Sequence, residues 1–177
     1  MEMTLKFMLP LAFFVIIVGF LWKGLYLTPQ ELPSAMIGNM VPNFQLPTLE
    51  SSSNIITNNV FKAKVTLANV WATWCHSCAM EHDLLIDIYN SKALPIIGIN
   101  YKDNRNNALM WLNNFGNPYN VTIFDEHGVL GMDLGVYGTP ETFLIDNKGI
   151  IRFRQVGPIT TEIWKKVLMP EIAKLQN

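Results

Sequence analysis

Lys64-Val-Thr-Leu-Ala-Asn-Val-Trp71 runs directly into Ala72-Thr-Trp-Cys75-His-Ser-Cys78, and this junction decides the fold. The first part is short, apolar and rich in β formers, which predicts a buried central strand over 64–71. Leu84, Leu85, Ile88 and Tyr89 then recur at helical spacing, so a helix is expected over 78–89. The two cysteines therefore lie where a strand passes into a helix. Ligand chemistry in open α/β sheets concentrates at the carboxyl ends of strands.

Outward from the junction, strands and helices alternate. Phe44 to Leu49 alternates like a short edge strand, and Pro47 fits an edge. Ser51 to Asn54 is turn chemistry, and Ile55 to Thr57 is a second short strand. Leu94 to Ile99 reads as a buried strand, Asn104 to Phe115 as a helix, Val121 to Phe124 as a strand and Gly128 to Leu134 as a short helix. Thr142 to Ile145 and Ile150 to Val156 flank Asn147-Lys148-Gly149 and predict a β-hairpin. Glu162 to Leu175 reads as a closing helix interrupted late by Pro170. The expected class is α/β: a mainly parallel sheet made mixed by the hairpin, with helices on both faces.

The chain has 177 residues, enough for one globular domain, expected over 44–177. Apolar residues make up 50% and charged ones 15%, too apolar for disorder and rich for a purely soluble protein. The excess lies in Phe7 to Trp22, which carries no charge and shows no polar face. Leu25, Tyr26 and Leu27 extend it, Lys23 can snorkel, and Trp22 and Tyr26 suit the headgroup level. A cleaved signal peptide and an uncleaved anchor compete. No A-x-A-like cleavage site follows the run, which favours a signal-anchor transmembrane helix over 1–27. Pro29, Pro33, Gly38 and Pro42 mark 28–43 as a linker and approach loop. The expected topology is a single pass through the plasma (inner) membrane with the domain on the far side. Lys+Arg 13 against Asp+Glu 14 leaves a net charge of −1, so no basic field points to nucleic acid.

Cys75 and Cys78 are the two cysteines of the chain. A thiol at a helix N-terminus faces unpaired N–H groups and the positive end of the dipole, and both favour thiolate. The pKa of a cysteine so placed falls to roughly 3.5–7.5. Cys75, at the turn, is expected as the exposed nucleophile; Cys78, deeper, resolves the mixed disulfide. Other chemistries are weaker fits. A c-type haem site needs His after the second cysteine, where Ala79 stands. A zinc site needs four ligands, and His76, His82 and His127 are the only histidines, so no metal site is expected. An inert structural disulfide remains open.

Asn69-Val-Trp-Ala-Thr-Trp-Cys-x-x-Cys78 resembles the thioredoxin active-site strand. Gly38-x-x-x-Pro42-x-Phe44, Cys78-x-x-Glu81-His82 and Gly135-Val-Tyr-Gly-Thr-Pro-Glu-Thr-Phe-Leu-Ile-Asp146 narrow the likeness. Together with the anchor they resemble the membrane-anchored thiol:disulfide interchange proteins of cytochrome c maturation (DsbE/CcmG type, TlpA-like). That resemblance implies a thioredoxin-like fold with an inserted helix-strand unit, supplied by 104–124. It implies a periplasmic reductant of disulfides in apocytochrome c or its thiol chaperone, recharged by a transmembrane electron donor of the DsbD/CcdA kind. No cofactor beyond the cysteine pair is implied. A general TlpA-like reductase or oxidase, and a non-enzymatic metal- or peptide-binding module, are the competing functions.

The resemblance also assigns supporting residues. Relatives often carry Pro after the first cysteine, where this chain has His76 and then Ser77. A protonated His76 favours the Cys75 thiolate; a solvated histidine without effect is the equal alternative. Thioredoxins usually bury an Asp where Asn69 stands, and Asn cannot take a proton from the resolving thiol. Glu81, three residues after Cys78 on the same helix face, and Glu141, after Pro140, are the candidate proton carriers. The plainer readings are a first-turn acid and a solvated loop acid. Thr139-Pro140 stands where that fold places a cis proline, whose backbone would pair with substrate. Trp74 is expected to line the site, Trp71 to fill the core, and His82 and His127 to be surface histidines.

Overall fold

The computed structural model describes residues 2–25 and 36–176, with side chains over 8–24 and 36–176. The expected linker therefore falls, up to residue 35, outside the described residues. The chain divides into two units, residues 1–33 and 34–177. In the first, α1 spans Glu2–Leu25 and contains Pro10. Every described side chain of α1, from 8 to 24, is exposed. Among the described residues no helix is long and apolar enough to cross a membrane.

The second unit holds β1 (Gln45–Pro47), β2 (Ile55–Thr57), β3 (Thr66–Trp71), β4 (Ile96–Tyr101), β5 (Val121–Asp125), β6 (Glu141–Ile145) and β7 (Ile151–Val156). It also holds α2 (His76–Ser91), α3 (Arg105–Phe115), α4 (Val129–Asp133), α5 (Thr161–Ile163) and α6 (Met169–Gln176). The main sheet has the order β5-β4-β3-β6-β7, with β3 at its centre and every residue of that strand buried. β3, β4 and β5 run parallel, while β6 and β7 are antiparallel, as the alternation and the terminal hairpin lead one to expect. The predicted inserted unit is α3 with β5, and β5 forms one edge of the sheet.

Alternation along β3 divides the core. Leu67 and Trp71 pack under α2 and the carboxyl-terminal helix, with Leu85, Ile88, Leu112 and Leu168. Ala68 and Val70 face the other side, with Phe61, Leu130, Phe143 and Ile151. Asn69 lies between Ala68 and Val70, so it points to the α2 side.

Two expectations need correction, whereas β1 is a short edge strand as expected: it pairs with β2 in its own two-stranded sheet. Just beyond it, the Thr48–Ile123 bridge and the Leu49 N–H to the Thr122 carbonyl tie it to β5. Pro47 has no N–H to donate, which suits the end of so short a strand. The central strand starts at Thr66, because Ala63 adopts a positive φ of 84° and donates to Asn147 instead. Pro170 does not interrupt the last helix. Trp164–Leu168 widens to a π turn in which Met169 N–H reaches the Trp164 carbonyl. The wider turn absorbs the donor that Pro170 lacks, and α6 continues through it.

Candidate active site

Cys75 ends the loop that leaves β3. It takes an extended conformation and is the N-cap of α2, its sulfur accepting the Cys78 N–H at 3.1 Å. α2 therefore begins at His76, two residues earlier than apolar spacing suggests, because the cap residue itself carries no periodic signal. Cys75 and Cys78 form a disulfide. Cys75 is 7% exposed and Cys78 3%, so in this form the expected contrast in access is small. His76 is exposed and Ser77 half-buried on the first turn.

The loop before the cysteines is fixed by Asp103, which the sequence reading did not single out. Its carboxylate accepts Thr73 N–H at 2.7 Å, the Thr73 hydroxyl at 2.7 Å, Asn100 Nδ2 at 2.9 Å and Asn104 N–H at 2.8 Å. Trp74 is 58% exposed beside Cys75, and its indole N–H donates to the Lys102 carbonyl at 3.0 Å. Trp71 is buried, as expected, and stacks on Tyr119 with ring centroids 5.6 Å apart.

The Thr139–Pro140 bond is cis, as the motif leads one to expect. β6 pairs Glu141 with Val70, so Pro140 arrives at the end of β3 from which the cysteine loop departs. The Pro140 carbonyl is taken by Gly157 N–H at 3.0 Å.

Glu81 is 1% exposed, one turn along α2 from Cys78. Asn69 Nδ2 donates to Oε1 at 2.8 Å and Ile159 N–H to Oε2 at 2.6 Å. Burial raises its pKa to about 7, against the lowering effect of these two donors. A carboxyl poised there takes and releases protons near neutral pH.

Glu141 is buried too, so it is no solvated loop acid, but the structure does not bring it to Cys78. Thr142 accepts from Asn69 on the α2 side, and alternation puts Glu141 on the opposite face with Phe143. There Arg154 holds Oε2 through Nε at 2.7 Å and a terminal nitrogen at 2.6 Å. Oε1 accepts Tyr137 N–H at 3.2 Å and Gly138 N–H at 3.3 Å. Glu141 and Arg154 thus brace the loop that carries Pro140.

His82 is corrected from surface to buried. It shares the Cys78 face of α2, and Nε2 lies 3.2 Å from the carbonyls of both Phe115 and Gly116. Its ring meets Trp111 edge-on at 4.2 Å. Burial lowers its pKa, partly offset by those carbonyls. His127 is exposed, as expected. Among the described residues no cluster of three His, Cys, Asp or Glu is arranged to hold a metal.

Known proteins supply an independent comparison. The family described as Redoxin matches residues 36–168. The thiol:disulfide interchange protein DsbE of Pseudomonas aeruginosa is 47% identical over 163 residues, 92% of this chain and 90% of the relative. The protein of the same description in Escherichia coli is 45% identical over 143 residues, 80% and 77% of the two chains. Among solved structures, a DsbF homologue from Corynebacterium diphtheriae superposes with a TM-score of 0.66 at 21% identity, over 82% of this chain and 97% of that one. The last is a likeness of fold.

Proposed function

The chain belongs to the Redoxin family and, within it, to the DsbE thiol:disulfide interchange proteins, and on that premise we propose that Cys75 attacks, Cys78 resolves and Glu81 takes the resolving proton. It is a thiol:disulfide oxidoreductase that acts on thiol-containing substrates through a C-x-x-C pair, without a further cofactor.

In the reducing direction, the Cys75 thiolate attacks a substrate disulfide. The substrate S–S bond breaks, one substrate thiolate leaves, and a Cys75–substrate disulfide forms. Cys78 then loses its proton to the Glu81 carboxylate, and its thiolate attacks Cys75 Sγ. The mixed disulfide breaks, Cys75–Cys78 forms, and the second substrate thiolate leaves and is protonated. The substrate gains two electrons and the dithiol loses two. The observation that carries this division of labour is the Cys78 N–H on the Cys75 sulfur, which stabilises charge on Cys75 and not on Cys78. Trp74 and the Thr139–Pro140 segment flank Cys75 as the substrate-facing surface.

The physiological setting follows from the resemblance. The substrate is apocytochrome c or its thiol chaperone, the electron donor is a membrane protein of the DsbD/CcdA kind, and the domain faces the periplasm. α1 anchors the chain in the inner membrane. Its uncharged run and its exposed Leu11, Phe14, Ile16 and Phe20 support that role.

The test is to trap partners on full-length Cys78→Ser in membranes, where a mixed disulfide on Cys75 cannot resolve. Haem-binding C-x-x-C-H segments or their chaperone on Cys75 support the reading. Capture of unrelated folded secretory proteins instead favours a general oxidoreductase. A reduction potential near the thioredoxin end, about −270 mV, marks a reductant, and one near about −120 mV an oxidant.

A further inference from the structure

Asn69 is fully buried at the centre of β3, and its amide has three partners. Nδ2 donates to Glu81 Oε1 at 2.8 Å and to Thr142 Oγ1 at 3.0 Å, while Oδ1 accepts the Tyr119 hydroxyl at 2.9 Å. Both amide protons and one carbonyl lone pair are used. The other Glu81 oxygen accepts Ile159 N–H. Both hydrogen bonds to the Glu81 carboxyl are therefore donated to it. That environment fits a carboxylate and gives a proton on Glu81 no acceptor.

We infer that Tyr119 is a positioning residue for the proton acceptor: its hydroxyl, acting through Asn69, selects the amide orientation that presents a donor to Glu81. The inference rests on reading Glu81 as the acceptor of the Cys78 proton. Tyr119 and Thr142 are hydroxyls, and each can donate or accept. If the amide turns over, Oδ1 faces Glu81 and Thr142, and Nδ2 faces the Tyr119 oxygen. A protonated Glu81 then donates to Oδ1. The amide thus follows the proton, with Nδ2 towards a carboxylate and Oδ1 towards a carboxylic acid. In the second state the Tyr119 oxygen accepts from Nδ2 and its own proton loses Oδ1, the one acceptor it has among the described residues, so Tyr119 biases the balance towards the first state, which is the one that can receive a proton from Cys78.

The surroundings suit the role. Burial, and then the negative charge of Glu81, push Tyr119 ionisation well above its ordinary value, so the phenol keeps its proton. Its ring is held against Trp71, and Gly98 leaves the room: a Cβ there would meet Tyr119 Cγ at 2.9 Å. The polar groups bonded into the cluster are Thr142 from β6, Tyr119 from the loop before β5 and the Ile159 N–H from the segment before α5, and Cys78 lies one turn back from Glu81 along α2. His82, next to Glu81 in sequence, is turned to the Phe115 and Gly116 carbonyls instead. Neither salt bridge nor cation contact reaches Glu81 from the described residues.

The test follows resolution of a Cys75–peptide mixed disulfide by stopped flow in the full chain, from pH 5 to 9. Tyr119→Phe keeps the ring and removes the donor. The acid limb is expected to move up by about one pH unit, slowing resolution below pH 7 by up to about 10-fold, with the high-pH plateau unchanged. In a Glu81→Gln background the same substitution should do nothing further. If Glu81→Gln abolishes the acid limb but Tyr119→Phe leaves its midpoint at the parental pH, the positioning role is overturned and the Glu81 reading stands. If Glu81→Gln keeps the limb, the Glu81 reading itself falls, and the inference with it. Should Tyr119→Phe fail to fold, the parent decides: the Asn69 side-chain amide protons must shift with the Glu81 titration by NMR. Amide resonances blind to that titration overturn the inference.

Discussion

Glu81 and Glu141 are equally buried, yet their neighbours give them different work. Glu81 meets two neutral donors and stays close to its titration point. Glu141 meets Arg154, whose side chain is only 7% exposed, and the two form a bidentate structural pair. Glu141→Gln leaves the Arg154 cation buried without its counter-charge, which costs roughly 3–5 kcal/mol. The expected outcome is a clear drop in Tm, with the pH midpoint of mixed-disulfide resolution unmoved. A shifted midpoint with parental Tm would reverse the two assignments. Asp103 works in the same structural sense, with four donors on one carboxylate. Asp103→Ala is expected to cost about 1–3 kcal/mol and to speed amide hydrogen exchange at Thr73 ahead of the rest of the sheet. At this scale the cysteine pair and Glu81 stand out in the sequence through local signals, C-x-x-C and i,i+3 spacing, and Asn69 only through the resemblance to the thioredoxin strand. Tyr119 was not, since it reaches Asn69 from 50 positions away with no periodic mark. His82 looked like surface because its partners, two carbonyls at the end of α3, come from the other side of a loop.

Among the elements, β3 and β4 set the site through one missing side chain. Gly98 sits opposite Asn69 in the parallel register, and Tyr119 and Trp71 lie over it. A methyl there would stand 3.0 Å from Trp71 Nε1 and closer still to the Tyr119 ring. Gly98→Ala is therefore expected to destabilise the domain by about 1–3 kcal/mol through overpacking. It should also weaken the Tyr119–Asn69 hydrogen bond, reproducing part of the Tyr119→Phe pH shift. Denaturant unfolding together with the resolution profile reads both effects, and a variant of parental stability and profile would show the rings to be free to move. The order and type of the elements were readable in advance, because apolar periodicity and turn residues are strong over these lengths. The ends of α3 and α4 were readable to within their caps, whereas the start of α2 was not, because its cap Cys75 falls outside the apolar repeat. Alternation reports β1 and β2 as short strands but not which sheet receives them.

At the scale of the whole molecule, folding stability is linked to the protonation of Glu81. Glu81 holds its proton up to about pH 7 in the folded protein, against an ordinary value of 4.5. Between those values the folded state binds more protons than the unfolded one. Stability is therefore greatest below the lower value, falls as pH rises through the window and levels off above the upper one. A shift of that size is worth at most about 3 kcal/mol. His82 acts in the opposite sense, since burial lowers its pKa and the folded state there binds fewer protons. Asp125, raised by burial against four backbone donors, acts in the same sense as Glu81. The parental curve mixes all three, so the reading comes from a difference. Glu81→Gln removes one titration and leaves the others in place. The amide is accommodated by turning Asn69 over, with Ile159 N–H on the Gln carbonyl and the Gln amide on Asn69 Oδ1. Urea unfolding of the reduced domain across the window should then show the variant gaining on the parent steadily as pH rises, and running parallel to it above about pH 7. Parallel curves throughout would mean that Glu81 titrates in the folded protein where it does in the unfolded chain, leaving it a much weaker base towards the Cys78 thiol than its burial implies.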